Sequence, residues 1–305
     1  MHSLLAARTL AVVALQYSPT VFWPYFNGIV VVLLWLFATR AEVSQARGLD
    51  KVVAFGRICY AAPLAVFSGE HMASARDIMQ GVPVYMPARL FWAYFVGVCL
   101  IAASLSIALN IQVRWSGTLL GIMFTLFVVM LDIPGALGNP KDRFAWALVL
   151  RELSFASGGL ALAAASMAGR GRSALVTMAR IVISGAAIVY GVEHFLHPAN
   201  VPVVPLEMLM PAWIPAHAAI AYATGIALLA AGAIMLLSRK NARMAATYLG
   251  TLILVMILLV YLPILIASVS ATGAGEKILA LNYFADTLFF GGTVLVLANA
   301  LPKGT

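Results

Sequence analysis

Long apolar runs alternate with short polar breaks along the chain. Runs near the roughly 20 residues that one helix needs to cross a bilayer core occupy residues 21–39, 52–70, 88–109, 115–133, 143–167, 177–197, 213–238, 244–269 and 278–300. The pattern predicts nine spans, and the fold class is an all-α, polytopic transmembrane helical bundle. Prolines inside the runs, such as Pro63, fit this reading because neighbouring helices satisfy the freed backbone groups. The weakly apolar stretch from Leu4 to Leu15 is too short for a full span, so an interfacial helix or a tenth, partial span is expected there. It lacks the basic n-region and small-x-small site of a cleaved signal peptide.

Composition agrees. Of 305 residues 63% are hydrophobic and 10% charged, against about 25% charged in soluble proteins. Such a chain has too few polar side chains to cover itself in water, so the lipid bilayer is its first partner. Lysine and arginine outnumber aspartate and glutamate, 19 to 11. The cations stand singly or in short clusters between apolar runs, which is a topology signal and excludes a nucleic-acid face. Twelve of them, including Arg47, Lys51, Arg114, Arg170, Arg172, Arg180, Arg239, Lys240 and Arg243, fall on one side of a nine-span arrangement. That side is expected to be cytoplasmic, with the N-terminus outside and the C-terminus inside.

The chain resembles itself at slowly growing offsets. Arg57 matches Arg180 and Glu70-His71 matches Glu193-His194 at a separation of 123. Pro87-Ala88 matches Pro215-Ala216, and Gly97 matches Gly225, at 128. Arg114, Gly121 and Pro134 match Arg243, Gly250 and Pro263 at 129, and Gly158-Gly159 matches Gly291-Gly292 at 133. The offset changes only in predicted loops, as a duplication requires. Two parallel four-helix repeats are expected, over 52–167 and 177–300, after an N-terminal segment 1–51 that holds one span. An even number of spans per unit puts equivalent residues at equal depth. Gly117-x-x-x-Gly121 and Ala246-x-x-x-Gly250 mark close helix contacts.

Ionisable residues inside a membrane are costly and usually face a bundle interior or a wet cavity. Here they collect toward the outer half. Glu70 and His71 end one helix; Glu193, His194 and His197 end its counterpart; Arg89 and His217 open the helices that follow. These seven are candidates for one outer-side cluster. Deeper in the last helix of each unit lie Arg151 with Glu152, and Asp286 with Asn282 one turn earlier. A histidine beside a carboxylate exchanges protons near neutral pH, holds a metal or haem, or hydrogen-bonds a quinone carbonyl. Interfacial polar residues that satisfy one another give the same pattern. No metal-ligand spacing is present, nothing fixes haem axial spacing, and Cys59 and Cys99 read as buried free thiols. There is no G-x-S-x-G, P-loop or H-E-x-x-H signature. Trp23, Trp35, Trp92, Trp115 and Trp213 are expected to anchor at the interface.

At Gly191-Val-Glu-His-Phe-Leu-His-Pro198, followed by Met210-Pro-Ala-Trp-Ile-Pro215 and Tyr222-x-x-Gly225, the chain resembles the DoxX/DoxD-like membrane family. The likeness covers the second unit well. In the first, Ser68-Gly-Glu-His-Met72 keeps Glu-His but lacks the phenylalanine and proline. The resemblance implies a bacterial inner-membrane protein, tied in some relatives to quinone-linked sulfur oxidation or to a redox partner protein. His194, Phe195 and Pro198 become motif positions, with His71 as the degenerate equivalent. The leading expectation is a redox- or quinone-associated membrane subunit. The tandem repeat and the intramembrane acids suggest as a second reading a small-molecule or proton-coupled transporter, and a non-catalytic scaffold or assembly factor is the third.

Overall fold

The computed structural model describes residues 18–204 and 206–303. The Leu4–Leu15 segment and Arg8 lie outside the described residues, as does the side chain of Arg40. Among the described residues nine helices are long and apolar enough to span a membrane. They are α1 (Pro19–Gln45), α2 (Asp50–Ala73), α3 (Arg89–Ala108), α4 (Val113–Gly138), α5 (Arg143–Ala165), α6 (Gly169–Leu196), α7 (His217–Leu237), α8 (Ala242–Val269) and α9 (Ala274–Ala300). The architecture is an all-α polytopic bundle, and no strand forms among these residues beyond one isolated bridge, Asn200 to Leu209.

Packing sorts the helices into a centre and a rim. α2, α5 and α9 are the most enclosed, while α1, α3, α4 and α8 keep broad apolar faces outward. Neighbours run in the order α3–α2–α9–α5–α6–α7, with α4 against α5, α8 against α9 and α1 against α2. Outward side chains such as Phe37, Leu119, Ile226 and Leu237 are large and apolar, and only a hydrocarbon solvent makes such a surface favourable. Close approach depends on small residues. A Cβ placed on Gly117 would stand 2.5 Å from the Gly159 carbonyl oxygen, so α4 and α5 touch backbone to backbone.

Several local features recur at the offsets seen in the sequence. α3 and α7 each follow a left-handed alanine, Ala88 (φ 52°) and Ala216 (φ 56°). α4 and α8 each contain one π turn, Val128–Asp132 and Ile257–Tyr261, just before Pro134 and Pro263. A proline lacks the amide for an i−4 bond and its ring crowds that carbonyl, so the preceding turn widens and the helix continues. This carries α4 to Gly138, beyond the end at residue 133 expected from hydropathy. α6 likewise starts at Gly169 rather than near residue 177.

One placement differs from the sequence reading, and one adds to it. Trp35 is 2% exposed and packs on Phe55 with ring centroids 5.2 Å apart, so it is a core residue and not an interface anchor. The α6–α7 connection, for which the sequence carries no expectation, runs inward: Val201, Val203, Val204, Leu206, Met210 and Ile214 are all buried. It is a hairpin-like loop, closed by Val201 N–H to Met208 O (2.9 Å) and Met210 N–H to Ala199 O (2.9 Å). Its polar backbone is satisfied inside the protein, as membrane-depth irregular structure requires.

Candidate functional site

The deep charges meet where α5 crosses α9. Arg151 reaches Glu152 through one guanidinium nitrogen (2.9 Å) and Asp286 through another (2.8 Å). The side chains are 20%, 13% and 8% exposed respectively. Arg151 stands eight residues into α5, roughly 12 Å along the axis at about 1.5 Å per residue, so a membrane-embedded cation joins the two halves of the bundle.

Further acids surround this pair. α2 brings Glu70, whose carboxyl is bonded by the Asn282 side chain and lies within electrostatic reach of Asp286. The π turn of α4 brings Asp132 within reach of Arg151 and Glu152. The matching π turn of α8 ends on Tyr261, which is bonded to the Thr287 side chain next to Asp286 and donates its hydroxyl to Pro202 O. Three carboxyls, Asp132, Glu152 and Asp286, therefore lie within reach of one guanidinium, and a fourth, Glu70, lies beside Asp286. Glu70 Oε1, Asp132 Oδ2 and Glu152 Oε2 are buried with no hydrogen-bond partner, and buried polar atoms in that condition normally mark a missing proton, water or ligand.

Aromatic rings close the cluster toward the bundle centre. Phe155, one turn on from Arg151, lies with its centroid 6.0 Å from the guanidinium and stacks on Phe289 at 3.9 Å. Tyr60 and Phe124 meet Phe289 edge-on at 4.5 and 5.7 Å, and the Tyr60 hydroxyl donates to Phe155 O at 2.7 Å. All four are buried.

The seven outer-side candidates do not gather into one cluster. α2 and α6 flank the central α9–α5 pair, so the two Glu-His pairs serve different neighbours. His71 donates through Nδ1 to Ala93 O of α3 (2.8 Å), and Gly97 lies against its Cβ. His194 donates through Nδ1 to Tyr190 O (2.6 Å), while its Nε2 accepts the Val203 amide (2.8 Å). Both ring nitrogens of His194 are thus occupied, in the neutral tautomer with hydrogen on Nδ1. Glu193 instead pairs with Arg143 (3.3 Å) and stands 3.6 Å from His197. Arg89 and His217 tie back to the loops before their helices, Arg89 to Val82 O and Gln80 O and His217 to Pro211 O.

His194 has a clear structural task. Val203 sits at φ 82°, a conformation costly for a β-branched residue, and the imidazole fixes it there. The same loop donates Met208 N–H to the Tyr283 hydroxyl (2.8 Å), one turn from Asp286. The other residues behind the family resemblance also pack. Phe195 stacks on Tyr222 at 5.5 Å, and Gly191 abuts the Gly225 carbonyl. Replacing His194 by alanine orphans the Val203 amide and frees the loop. Stability should fall by about 1–3 kcal/mol, the cost of an unpaired buried donor, and hydrogen exchange should accelerate over residues 199–210. Unchanged exchange there would show that the imidazole does not hold the loop.

Asp132, Tyr261 and Tyr283 were absent from the sequence-level candidates. Asp132 was detectable, as an acid within two residues of a proline inside an apolar run; the tyrosines carry no such signal. No group of three or more His, Cys, Asp or Glu side chains suited to a metal ion occurs among the described residues. No protein-family model, curated protein or solved structure matches this chain.

Proposed function

We propose that this integral membrane protein is a proton-coupled transporter of small molecules, with the Arg151–Glu152–Asp286 cluster as its proton-exchange site. The observation that carries this is the excess of four carboxyls over one guanidinium, with three carboxylate oxygens left unpartnered. Charge in such a setting balances only when protons or a cationic substrate are bound. The surroundings suit a gated site. The Phe155–Phe289–Phe124–Tyr60 group blocks passage toward one side, and the 199–210 loop, held by His194, Tyr261 and Tyr283, covers the other.

Duplication belongs to the same reading. The paired π turns, left-handed alanines and histidine-facing glycines support two DoxX-like units related by an axis along the membrane normal. With the cation-rich end cytoplasmic, in a bacterial inner membrane, the acid cluster lies in the outer half, beneath the 199–210 loop. The redox-subunit reading draws support from His71 alone, whose Nε2 has no hydrogen-bond partner among the described residues.

Infrared titration of the purified protein in lipid tests the proton site. Wild type should show carboxylic-acid bands that respond to pH, and Glu152→Gln with Asp286→Asn should weaken them. Identical titrations in both would end the proposal. In liposomes holding a pH dye, a panel of small organic cations and neutral compounds should include one that shifts lumenal pH with wild type and not with Glu152→Gln. A quinone that co-purifies with wild type and is lost from His71→Ala would instead favour the redox reading.

A further inference from the structure

At the end of the bundle opposite the acid cluster, a cleft of about 330 Å³ lies between the first turns of α6 and the C-terminal ends of α7 and α9. Three arginines line it, Arg172, Arg180 and Arg239, with the hydroxyls of Ser173 and Thr177, and no acidic side chain does. Helix capping explains part of this. Arg172 donates to Ala300 O at 3.0 Å, and Arg180 donates to Met235 O at 2.6 Å and Leu236 O at 3.1 Å. Each capped terminus offers only about half a negative charge, however, against three full positive ones. Arg172 Nε is buried without an acceptor, and capping accounts for no contact of the exposed Arg239. None of the three is in any of the ion pairs observed among the described residues, whereas Arg243 and Lys303 at the same end pair with Asp50. The cleft is therefore built for an anion.

Its continuation says which kind. A shallower groove shares Ser173 and Thr177 with the cleft and runs on over Met178 and Ile181 along the outer face of α6. Both are about half exposed, at 47% and 48%. From Arg172 to Ile181 the helix rises roughly 13 Å at about 1.5 Å per residue, and along that path the lining changes from cationic to hydroxylic to apolar. An inorganic anion has no use for the apolar track, but an acyl chain does. We propose that this surface binds an anionic phospholipid. The phosphate lies among Arg172, Arg180 and Arg239, Ser173 and Thr177 donate to its oxygens, and one acyl chain lies on Met178 and Ile181. Basic pockets between helices at a membrane surface hold such headgroups by this chemistry.

The full chain, purified in neutral detergent, should retain phosphatidylglycerol over phosphatidylcholine when its lipids are extracted and weighed by mass spectrometry. Adding phosphatidylglycerol to delipidated protein should raise its thermal midpoint, while phosphatidylcholine and inorganic phosphate should not. Arg172→Gln with Arg239→Gln should weaken phosphatidylglycerol binding about tenfold or more, because two of the three cation contacts are lost. The single variant Arg239→Gln, at an exposed position that caps no helix, should show part of that loss with an unchanged lipid-free midpoint. Lys240→Gln, outside the cleft lining, should bind as wild type. Equal stabilisation by inorganic phosphate would identify a simple anion site and overturn the lipid assignment. Undiminished phosphatidylglycerol retention in the double variant would overturn the site itself.

Discussion

Arg151→Ala should destabilise the protein by about 3–5 kcal/mol, the range for removing one partner of a buried ion pair. The loss comes less from the two bonds than from what they leave behind. Asp286 and Glu152 are 8% and 13% exposed, and each would keep a carboxylate with no cation beside it. Lysine should not rescue the variant. Arginine reaches the two acids through separate nitrogens at 2.8 and 2.9 Å, and a single ammonium on a flexible stem does not reproduce that fork. Neutralising the bonded acids should rescue it: Arg151→Met with Glu152→Gln and Asp286→Asn should unfold within about 1 kcal/mol of wild type, because neither acid that was bonded to Arg151 keeps a charge. Thermal unfolding in detergent, followed at a fixed lipid ratio, measures all three. An Arg151→Ala protein as stable as wild type would mean that the cluster is open to water.

The same residues show how far the sequence alone reaches. Hydropathy is enough for the spans, because a bilayer imposes one length on every helix. Arg151, Glu152 and Asp286 stand out for a related reason: a charge in mid-span has few explanations. Their mutual contact is not legible, since 135 residues separate Arg151 from Asp286 and only the α5–α9 crossing joins them. Glu70 and His71 illustrate a different limit. As neighbours in sequence they read as a pair, yet adjacent helical positions point about 100° apart. One turns to Asn282 on α9 and the other to Ala93 on α3. Asp132 stands one residue from the end that hydropathy gives its span, at residue 133, whereas the helix continues through a π turn to Gly138 and keeps the acid inside. The 199–210 loop has no periodicity to read, and its inward path rests on side chains from three helices: His194 and Tyr283 accept its amides, and Tyr261 donates to its Pro202 carbonyl.

The largest effect of a single added methyl group is expected at Gly292. A Cβ there would stand 2.4 Å from Tyr60 N, 2.5 Å from Cys59 C and 2.8 Å from Cys59 O, all backbone atoms of α2. A backbone cannot rotate aside as a side chain can, so α2 and α9 must separate. Gly292→Ala should cost about 1–3 kcal/mol, the usual penalty for overpacking, and Gly292→Val should exceed it and fail to yield folded protein. Because the Tyr60 ring rests on Phe289, separation also loosens the aromatic plug. In pH-dye liposomes Gly292→Ala should therefore show faster passive proton entry than wild type. Gly185 is the control. It is helical within α6, and a Cβ on it would meet nothing within 4 Å. There the same substitution should raise stability by about 0.5–1 kcal/mol, through the better helix propensity of alanine, and leave proton entry unchanged. If both glycines tolerate alanine equally, α2 and α9 do not pack as closely as their backbones indicate, and the seal between the two central helices is looser than the proposed gated site requires.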